Sequence, residues 1–444
     1  MSLGTRPPVR LPVGWSSRVL RSGPLTESST PGRLFRLGVA LVAGCILTAL
    51  VSLYGGLTRQ AAIDDSEGRD SALSVDAGQL YRLFADADAM ATSGYVAGRV
   101  EPELVRLRYD DDIEQASDRL GHAAGDLAED DPGRALVAIV ARDSPVYSGL
   151  IETARSANRE GQPTGQSSLN TGSTLMRETV LPTVGRLRRE AATALTNDYD
   201  RGGSVPFALL LVGGATLAGV IYVGVLETRR TNRIFNLGLV VSAGLIIVVL
   251  LWWIIASTII GARLDAASEH GQAANALDDA RAAILQARSD ESLAVVARGD
   301  DPKAEADFAS QVSNVFGSGG STGLLGAASS AGGPDSARAI DLVRAQAQRW
   351  QQAHQRLREL NQAGQFADAA ASVVGTDLAG SRVSFERLDV ALGDALDQQH
   401  ARLDDEAAGA RHALTGLVLG PMLLSLLAAG AAGAGIAARW REYR

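Results

Sequence analysis

Residues 234–262 read IFNLGLVVSAGLIIVVLLWWIIASTIIGA and contain no charged residue and no histidine. An α-helix rises about 1.5 Å per residue, so about 20 apolar residues cross the ~30 Å hydrocarbon core of a bilayer. Three further uncharged stretches of sufficient length occur in the chain, at 37–58, 202–226 and 413–438. The sequence therefore predicts an all-α membrane protein with four transmembrane helices.

Arginines beside these stretches predict the orientation, because cytoplasmic segments of membrane proteins carry an excess of Lys and Arg. The segments 1–36, 227–233 and 439–444 are each net positive, and they lie on one side if all four stretches cross. We therefore expect a multi-pass plasma-membrane protein with both termini in the cytoplasm. No Ala-x-Ala cleavage site follows the first span promptly, which favours an uncleaved anchor.

Two long acidic regions, 59–201 and 263–411, are then expected outside the cytoplasm. Apolar residues recur at spacings of three and four, for example from Leu73 to Gly94, as in helices packed in a bundle. We predict two extracytoplasmic antiparallel four-helix bundles in a tandem duplicated arrangement. Pro and Gly signals predict breaks at 99–102, 129–133 and 160–171, and a flexible connection at 317–333.

A faint internal repeat supports duplication. Residues 94–102 read GYVAGRVEP, and residues 294–302 read AVVARGDDP, at an offset of about 200 residues. The first predicted span aligns with the third at the same offset. The similar lengths of the two acidic regions support the duplication more strongly than this echo does.

Composition excludes several classes of protein. The net charge of −8 argues against a nucleic-acid binder. Lys303 is the only lysine and Cys45 the only cysteine, so the chain lacks a Walker A loop, an internal disulfide and a cysteine-rich metal site. Hydrolase, zinc-protease and dinucleotide-binding motifs are also missing from the sequence. We predict no enzymatic activity, no cofactor and no metal.

Two other features admit a functional and a structural interpretation. The run Asp110–Asp112 has carboxylates that suit a divalent cation, but at helical spacing a solvated acidic face is favoured. His354 falls on the apolar face of a predicted helix, which favours a packed, hydrogen-bonded histidine over a metal ligand or a catalytic base.

The segment 158–166, NREGQPTGQ, interrupts the helical pattern with two glycines and a proline among polar residues. A solvent-facing loop on a rigid helical scaffold is typical of a partner-docking site; the alternative is an ordinary connection between helices. The candidate docking residues are Asn158, Arg159, Gly161, Pro163 and Gly165.

The predicted cytoplasmic segments are too short for a catalytic domain, so a signal would have to be received by a separate protein. Arg229, Arg230 and Arg233 in the loop 227–233 are the candidate relay residues. Contact with acidic lipid headgroups is the alternative for the same arginines.

The layout resembles chemoreceptor sensory modules in tandem, without a methyl-accepting or kinase region. More narrowly, Tyr81–Ala89, Gly94–Ile113 and Ile151–Gly165, together with the four-span topology, resemble the actinobacterial GlnX membrane proteins. The resemblance implies two partners, an extracytoplasmic amino-acid-binding lipoprotein (GlnH) and a cytoplasmic serine/threonine kinase (PknG). It supplies no functional residues.

We therefore expect a non-enzymatic transmembrane signal transducer that relays amino-acid availability from such a lipoprotein to such a kinase. The alternative is a structural scaffold of an envelope or transport complex without ligand sensing. Uncharged spans argue against a transporter, because ion and proton pathways usually contain ionisable residues. Homo-oligomerisation is left open.

Overall fold

The computed structural model describes residues 30–65, 71–203, 207–231, 236–298, 301–317, 322–414 and 416–442. Within these ranges the chain is helical and contains no strand, so the prediction of an all-α membrane protein is confirmed. The helices are α1 (Thr30–Asp65), α2 (Ser71–Val96), α3 (Glu103–Asp126), α4 (Gly133–Glu160), α5 (Thr164–Leu175), α6 (Leu181–Gly203), α7 (Phe207–Thr231), α8 (Leu237–Val296), α9 (Pro302–Phe316), α10 (Gly323–Ala331), α11 (Gly333–Gln362), α12 (Phe366–Val374), α13 (Ser381–Leu414) and α14 (Leu419–Glu442).

The described residues divide into two compact units. The span unit comprises those of Met1–Leu57, Val205–Ala256 and Thr415–Arg444, and the large unit those of Thr58–Ser204 and Ser257–Leu414. The helices of both acidic regions thus belong to one unit. The four-helix bundle predicted within each region stays a prediction.

Four helical segments are long and apolar enough to cross a membrane. They lie within Phe35–Ala61, Phe207–Thr228, Leu237–Val296 and Ser381–Ala438. Helix α7 begins at Phe207, inside the predicted span 202–226, and continues to Thr231, inside the predicted loop 227–233. The boundaries of the spans themselves stay predictions. Residues 1–29 and 232–235 lie outside the described ranges.

The fourth predicted span, 413–438, is interrupted near its start. Helix α13 ends at Leu414, Gly416 adopts a left-handed backbone with φ of 84°, and α14 begins at Leu419. Pro421 then lies in the first turn of α14, where its missing N–H has no intrahelical acceptor in any case. The apolar stretch is continuous in sequence, but the helix that carries it starts later than predicted.

Small residues bring helices of the span unit into close contact. A Cβ atom added to Gly238 in α8 would lie 2.6 Å from the Cα of Gly435 in α14 and 2.5 Å from the carbonyl oxygen of Ala431. The Asn236 side-chain amide donates a hydrogen bond of 3.1 Å to the Gly435 carbonyl. Close backbone approach of this kind drives helix association in lipid, where apolar burial alone supplies little.

The first half of the chain pairs with α8 in a parallel register. In the large unit, Gln286 donates to the hydroxyl of Tyr81, Ser289 donates to Asp88, and Ser93 and Ser292 share a hydrogen bond. In the span unit, Trp253 Nε1 donates to Ser52 Oγ over 2.8 Å, and Cys45 contacts Ser242.

These five pairs have sequence separations of 205, 201, 199, 201 and 197 residues. Helix bounds repeat at a similar offset: α2 and α8 end at Val96 and Val296, and α4 and α11 begin at Gly133 and Gly333. The two halves of the chain therefore have matching helix plans, and their first long helices lie side by side.

Two predicted irregular segments contain helix. The predicted break 160–171 is confined to three residues, because α5 begins at Thr164. The connection predicted to be flexible at 317–333 contains α10. Buried Leu325 and Ala328 explain α10, since they pack into the same hydrophobic core as α9 and α11. Apolar packing here outweighs the low helix propensity of the Gly and Ser residues around it.

The contact between α8 and α14 gives a test of span packing. Gly238→Ala should destabilise the detergent-solubilised protein by roughly 1–3 kcal/mol, because the added methyl group forces two backbones apart. The matched control is Gly244→Ala in the same span, where nothing lies within 4 Å of an added Cβ. It should change stability by less than about 1 kcal/mol. Thermal unfolding midpoints of the two variants compare them, and equal midpoints would contradict the close α8–α14 contact.

Candidate functional site: the distal groove

The distal end of the large unit is the end at which α2 and α8 terminate. Four helix–helix connections meet there: those after α2, α4, α8 and α11. The side-chain amides of Asn158 and Asn361 bind carbonyls at the C-terminal ends of α2 and α8. The Asn158 amide donates hydrogen bonds of 3.0 Å to the carbonyls of Tyr95 and Gly98, and the Asn361 amide donates one of 3.2 Å to the carbonyl of Ala294. These bonds pair C-terminal carbonyls that have no partner within their own helix.

Left-handed residues turn the chain at the same places in both halves. Gly161 and Gly364 follow α4 and α11 with φ of 73° and 75°. Gly98 follows α2 with φ of 85°, but the residue that follows α8 in the same way is Arg298, with φ of 50°. Arg298 is the one non-glycine residue with positive φ in the part of the chain that the structure describes. An arginine in this conformation costs about 1 kcal/mol relative to glycine.

A groove of about 760 Å³ opens between these connections. We call it the distal groove. Its lining residues come from both halves of the chain: Tyr95, Val96, Gly98, Arg99, Asn158, Gly161, Gln162, Pro163, Gln166, Val295, Val296, Ala297, Arg298, Phe366, Ala367 and Ala370.

The charge of the distal groove is positive. Arg99 and Arg298 are both exposed, and the lining includes no Asp or Glu. Burial raises the pKa of Tyr95, while the charge of Arg298 lowers it, so Tyr95 is a neutral hydrogen-bonding phenol at neutral pH. The rest of the lining combines polar Asn158, Gln162 and Gln166 with apolar residues such as Phe366. Such a surface suits an acidic group on an apolar partner.

The five predicted docking residues divide into two kinds. Asn158, Gly161 and Gly165 are structural: Asn158 is bonded internally, Gly161 turns the chain, and a Cβ on buried Gly165 would lie 2.9 Å from the Tyr95 hydroxyl. Arg159 and Pro163 are exposed, and Pro163 lines the groove. Docking at any of the five stays a prediction.

The predicted relay arginines are described only in part. Arg229 and Arg230 lie in the last turns of α7, whereas Arg233 lies outside the described residues.

Sequence reasoning missed Tyr95, Arg99, Arg298 and Phe366 as groove residues. Three of them fall within or beside the echo between residues 94–102 and 294–302. The sequence does contain a signal for Arg298, because it aligns with Gly98 at the offset of the repeat. An arginine at a turn position where the other half has glycine is unusual.

Buried charges cross between the two halves below the groove. Arg108 of α3 binds Asp86 of α2 at 2.7 Å and Asp389 of α13 at 3.3 Å, and Arg281 of α8 binds Asp389 at 2.7 Å. Asp88, also buried, accepts hydrogen bonds from Ser173 and Ser289, each at 2.7 Å. Among these contacts, Arg108–Asp389 and Ser289–Asp88 join the two halves, and because a buried charge that loses its partner is strongly destabilising, they restrict the register between the halves.

The prediction that Asp110–Asp112 form a solvated acidic face is wrong at one residue, Asp112. Asp110 and Asp111 are exposed, but Asp112 is only 4% exposed. Burial and the neighbouring Asp86 raise the pKa of Asp112 to about 8, against the opposing effect of Arg108. Within the described ranges, no group of three or more His, Cys, Asp or Glu side chains is placed to hold a metal ion.

The prediction that His354 is a packed, hydrogen-bonded residue is confirmed. Its ring stacks on Phe308 with centroids 3.7 Å apart, and its Nδ1 lies 3.0 Å from Glu291. Its Nε2 lies 3.4 Å from Glu305. Burial alone would lower the pKa of His354, but the two carboxylates raise it to about 9. Burial alone would raise the pKa of Glu291, but Arg288, His354 and Ser381 lower it to about 2.

Comparison with known proteins bears on the first half of the chain. Residues 62–200 match the family model described as an actinobacterial sensor domain. The match covers less than a third of the chain, and it includes α2 to α5 and most of α6. It supports a sensing role for a membrane protein. No curated protein and no solved structure matches the chain.

The His354 cluster predicts a pH dependence of stability. The stabilisation from protonated His354 is complete below its usual pKa of 6.5 and is lost as the pH rises through about 9. The contribution of Glu291 is present above its usual pKa of 4.5 and is lost as the pH falls towards about 2. His354→Gln should therefore be less stable than the parent at pH 6.5, and this difference should shrink by about 3 kcal/mol above pH 9.

Chemical unfolding across this pH range measures the difference. The control is His122→Gln, since His122 is exposed and the same substitution there should leave the pH profile unchanged. A constant difference between His354→Gln and the parent would show that His354 is not charged in the folded protein.

Proposed function

We propose that this protein is a transmembrane signal transducer that relays extracytoplasmic amino-acid availability to a cytoplasmic serine/threonine kinase. In this proposal a solute-binding lipoprotein delivers the signal and docks at the distal groove. The match of residues 62–200 to a sensor-domain family in a chain with four candidate spans carries the proposal. The kinase and the lipoprotein are suggested by the resemblance to the GlnX-type proteins.

The distal groove supports docking because of what lines it. It combines two exposed guanidinium groups with amide and apolar side chains and spans both halves of the chain. A partner that contacts Arg99 of one half and Arg298 of the other would bias the packing between the halves. A ligand shifts such an equilibrium only by its difference in affinity for the two states.

Helix α8 supports a relay. It is a single helix from Leu237 to Val296 and contributes residues to both units. A shift of α8 in the large unit would therefore be carried along one helix into the span unit. Arg229 and Arg230, at the end of α7, precede α8 in the chain and are the proposed contact with the kinase.

In-membrane crosslinking with affinity purification and mass spectrometry tests the relay, with and without added glutamate, aspartate or glutamine. We expect to recover a solute-binding lipoprotein and a serine/threonine kinase, with recovery that changes with one amino acid. Recovery of envelope or transport components under all conditions, without either partner, would favour the scaffold instead.

Neutralising the loop arginines tests the cytoplasmic contact. The triple variant Arg229→Gln, Arg230→Gln and Arg233→Gln should lower kinase recovery about tenfold, equivalent to losing about 1.4 kcal/mol of binding. The matched control removes the same charge from the other terminus of the span unit, at Arg439, Arg441 and Arg444. Equal losses in both variants would point to lipid contact rather than to a kinase site.

The variant Arg298→Gly tests docking at the groove, because it should affect lipoprotein recovery and protein stability in opposite directions. The variant removes a guanidinium from the groove and relieves a left-handed backbone, so its unfolding free energy should rise by about 1 kcal/mol. Lipoprotein recovery should fall, and it should be retained in Arg298→Lys, which keeps the charge. Full recovery with Arg298→Gly would place docking elsewhere.

A further inference from the structure

A second cavity, of about 370 Å³, adjoins the distal groove and shares Gln166 and Ala297 with it. We call it the α5–α9 cavity. Helices α5, α8 and α9 and the π-helical turn Met176–Val180 line it. Its lining residues are Gln166, Asn170, Thr174, Arg177, Glu178, Asp290, Leu293, Ala297, Asp301, Lys303, Ala304 and Asp307.

Several charges in the α5–α9 cavity are uncompensated. Arg177 pairs with Asp290, and Asp301 accepts hydrogen bonds from the backbone at the start of α9. Among the described residues, the side chains of Glu178, Lys303 and Asp307 have no hydrogen-bond or ion-pair partner. They face a space large enough for a small organic molecule.

The net charge of the lining is negative. Four carboxylates, those of Glu178, Asp290, Asp301 and Asp307, stand against the two cations of Arg177 and Lys303. Burial, Asp307 and Asp88 together raise the pKa of Asp290 to about 7, against the opposing effect of Arg177. A positive group in the cavity would offset this repulsion between carboxylates.

The duplicated helix plan provides an internal comparison. The corresponding cavity is lined by α2, α3, α12 and α13, with Arg288 of α8, and has a volume of only about 150 Å³. At the offset of about 200 residues, Met90 lies where the α5–α9 cavity has Asp290 and Leu104 where it has Ala304. Val374 likewise takes the place of Thr174. The smaller cavity has larger apolar side chains at these positions and a net positive lining, with Arg108, Arg288 and Arg382 against Glu386, whereas the α5–α9 cavity is larger and its lining is net negative.

From this asymmetry we propose that the α5–α9 cavity binds a small organic molecule that carries at least one ammonium group. The ammonium lies against Asp307 and Glu178, and Gln166 and Asn170 supply hydrogen bonds. Lys303 accommodates a carboxylate on the same molecule. This inference rests on the proposed sensing function and deepens it, because it makes this chain itself a receptor for a small molecule.

Binding to the purified full-length protein in detergent tests the proposal without either partner. The probes are L-lysine, L-norleucine and hexanoate, which share a six-carbon carboxylate chain and carry two, one and no ammonium groups. Calorimetric titration should give tightest binding for lysine, weaker binding for norleucine and no binding for hexanoate.

Asp307→Asn and Glu178→Gln should each weaken lysine binding about tenfold, the usual effect of losing a charge-assisted hydrogen bond. Asp397→Asn is the matched control, because Asp397 is exposed and lies outside the cavity. Unchanged thermal unfolding midpoints would show that the variants fold.

Three results would overturn the proposal: no lysine binding by the parent, hexanoate binding as tight as lysine, or lysine affinity unaffected by both cavity variants. None of them would bear on the recovery of partners by crosslinking, so failure of this site and failure of the relay are distinguishable.

Discussion

The parallel pairing of the first-half helices with α8 is the constraint on which the rest of the structure depends. Ser52 and Trp253 meet in the span unit, and Asp88 and Ser289 meet in the large unit, at the same sequence separation of 201 residues. A slip of one helical turn would remove the Ser289 hydroxyl from buried Asp88, and the loss of a hydrogen bond to a buried charged group costs about 1.5–3 kcal/mol. Apolar packing alone tolerates many registers. The buried polar contacts therefore select one.

This register also creates the two candidate sites. It places the ends of α2 and α8 next to each other, so that Arg99 and Arg298 share one groove. It also places α5 of one half against α9 of the other, which forms the acidic cavity. A positive groove and a negative cavity then adjoin at Gln166, and each suits a ligand of opposite charge. Ligands at the two sites would interact through the same helix ends, and such coupling is reciprocal.

The parts of this fold that can be predicted from sequence are those set by local chemistry. Long uncharged stretches identify the spans, and apolar residues at helical spacing identify the helices, because burial follows from both patterns. The joining of both acidic regions into one unit depends on contacts between residues about 200 positions apart, which no local pattern reveals. Gly161 and Pro163 identified the distal connection correctly as a break, yet Arg298 and Phe366 join it only through tertiary contacts. Buried Asp112 was misplaced for the same reason, since its neighbour Asp86 lies in another helix.

The left-handed Arg298, which occupies the position of Gly98 in the other half, shows what two similar halves in one chain permit. A two-fold symmetric dimer of identical chains must repeat every residue, so any gain at one site is imposed on its mate. Here the two halves differ: the turn after α2 has Gly98 and the turn after α8 has Arg298, and the two corresponding cavities differ in volume and charge. The chain thus repeats one helix plan in two halves, and the proposed ligand would occupy only one of the two corresponding cavities. One ligand molecule, bound in the α5–α9 cavity alone, would suffice to make the two halves unequal.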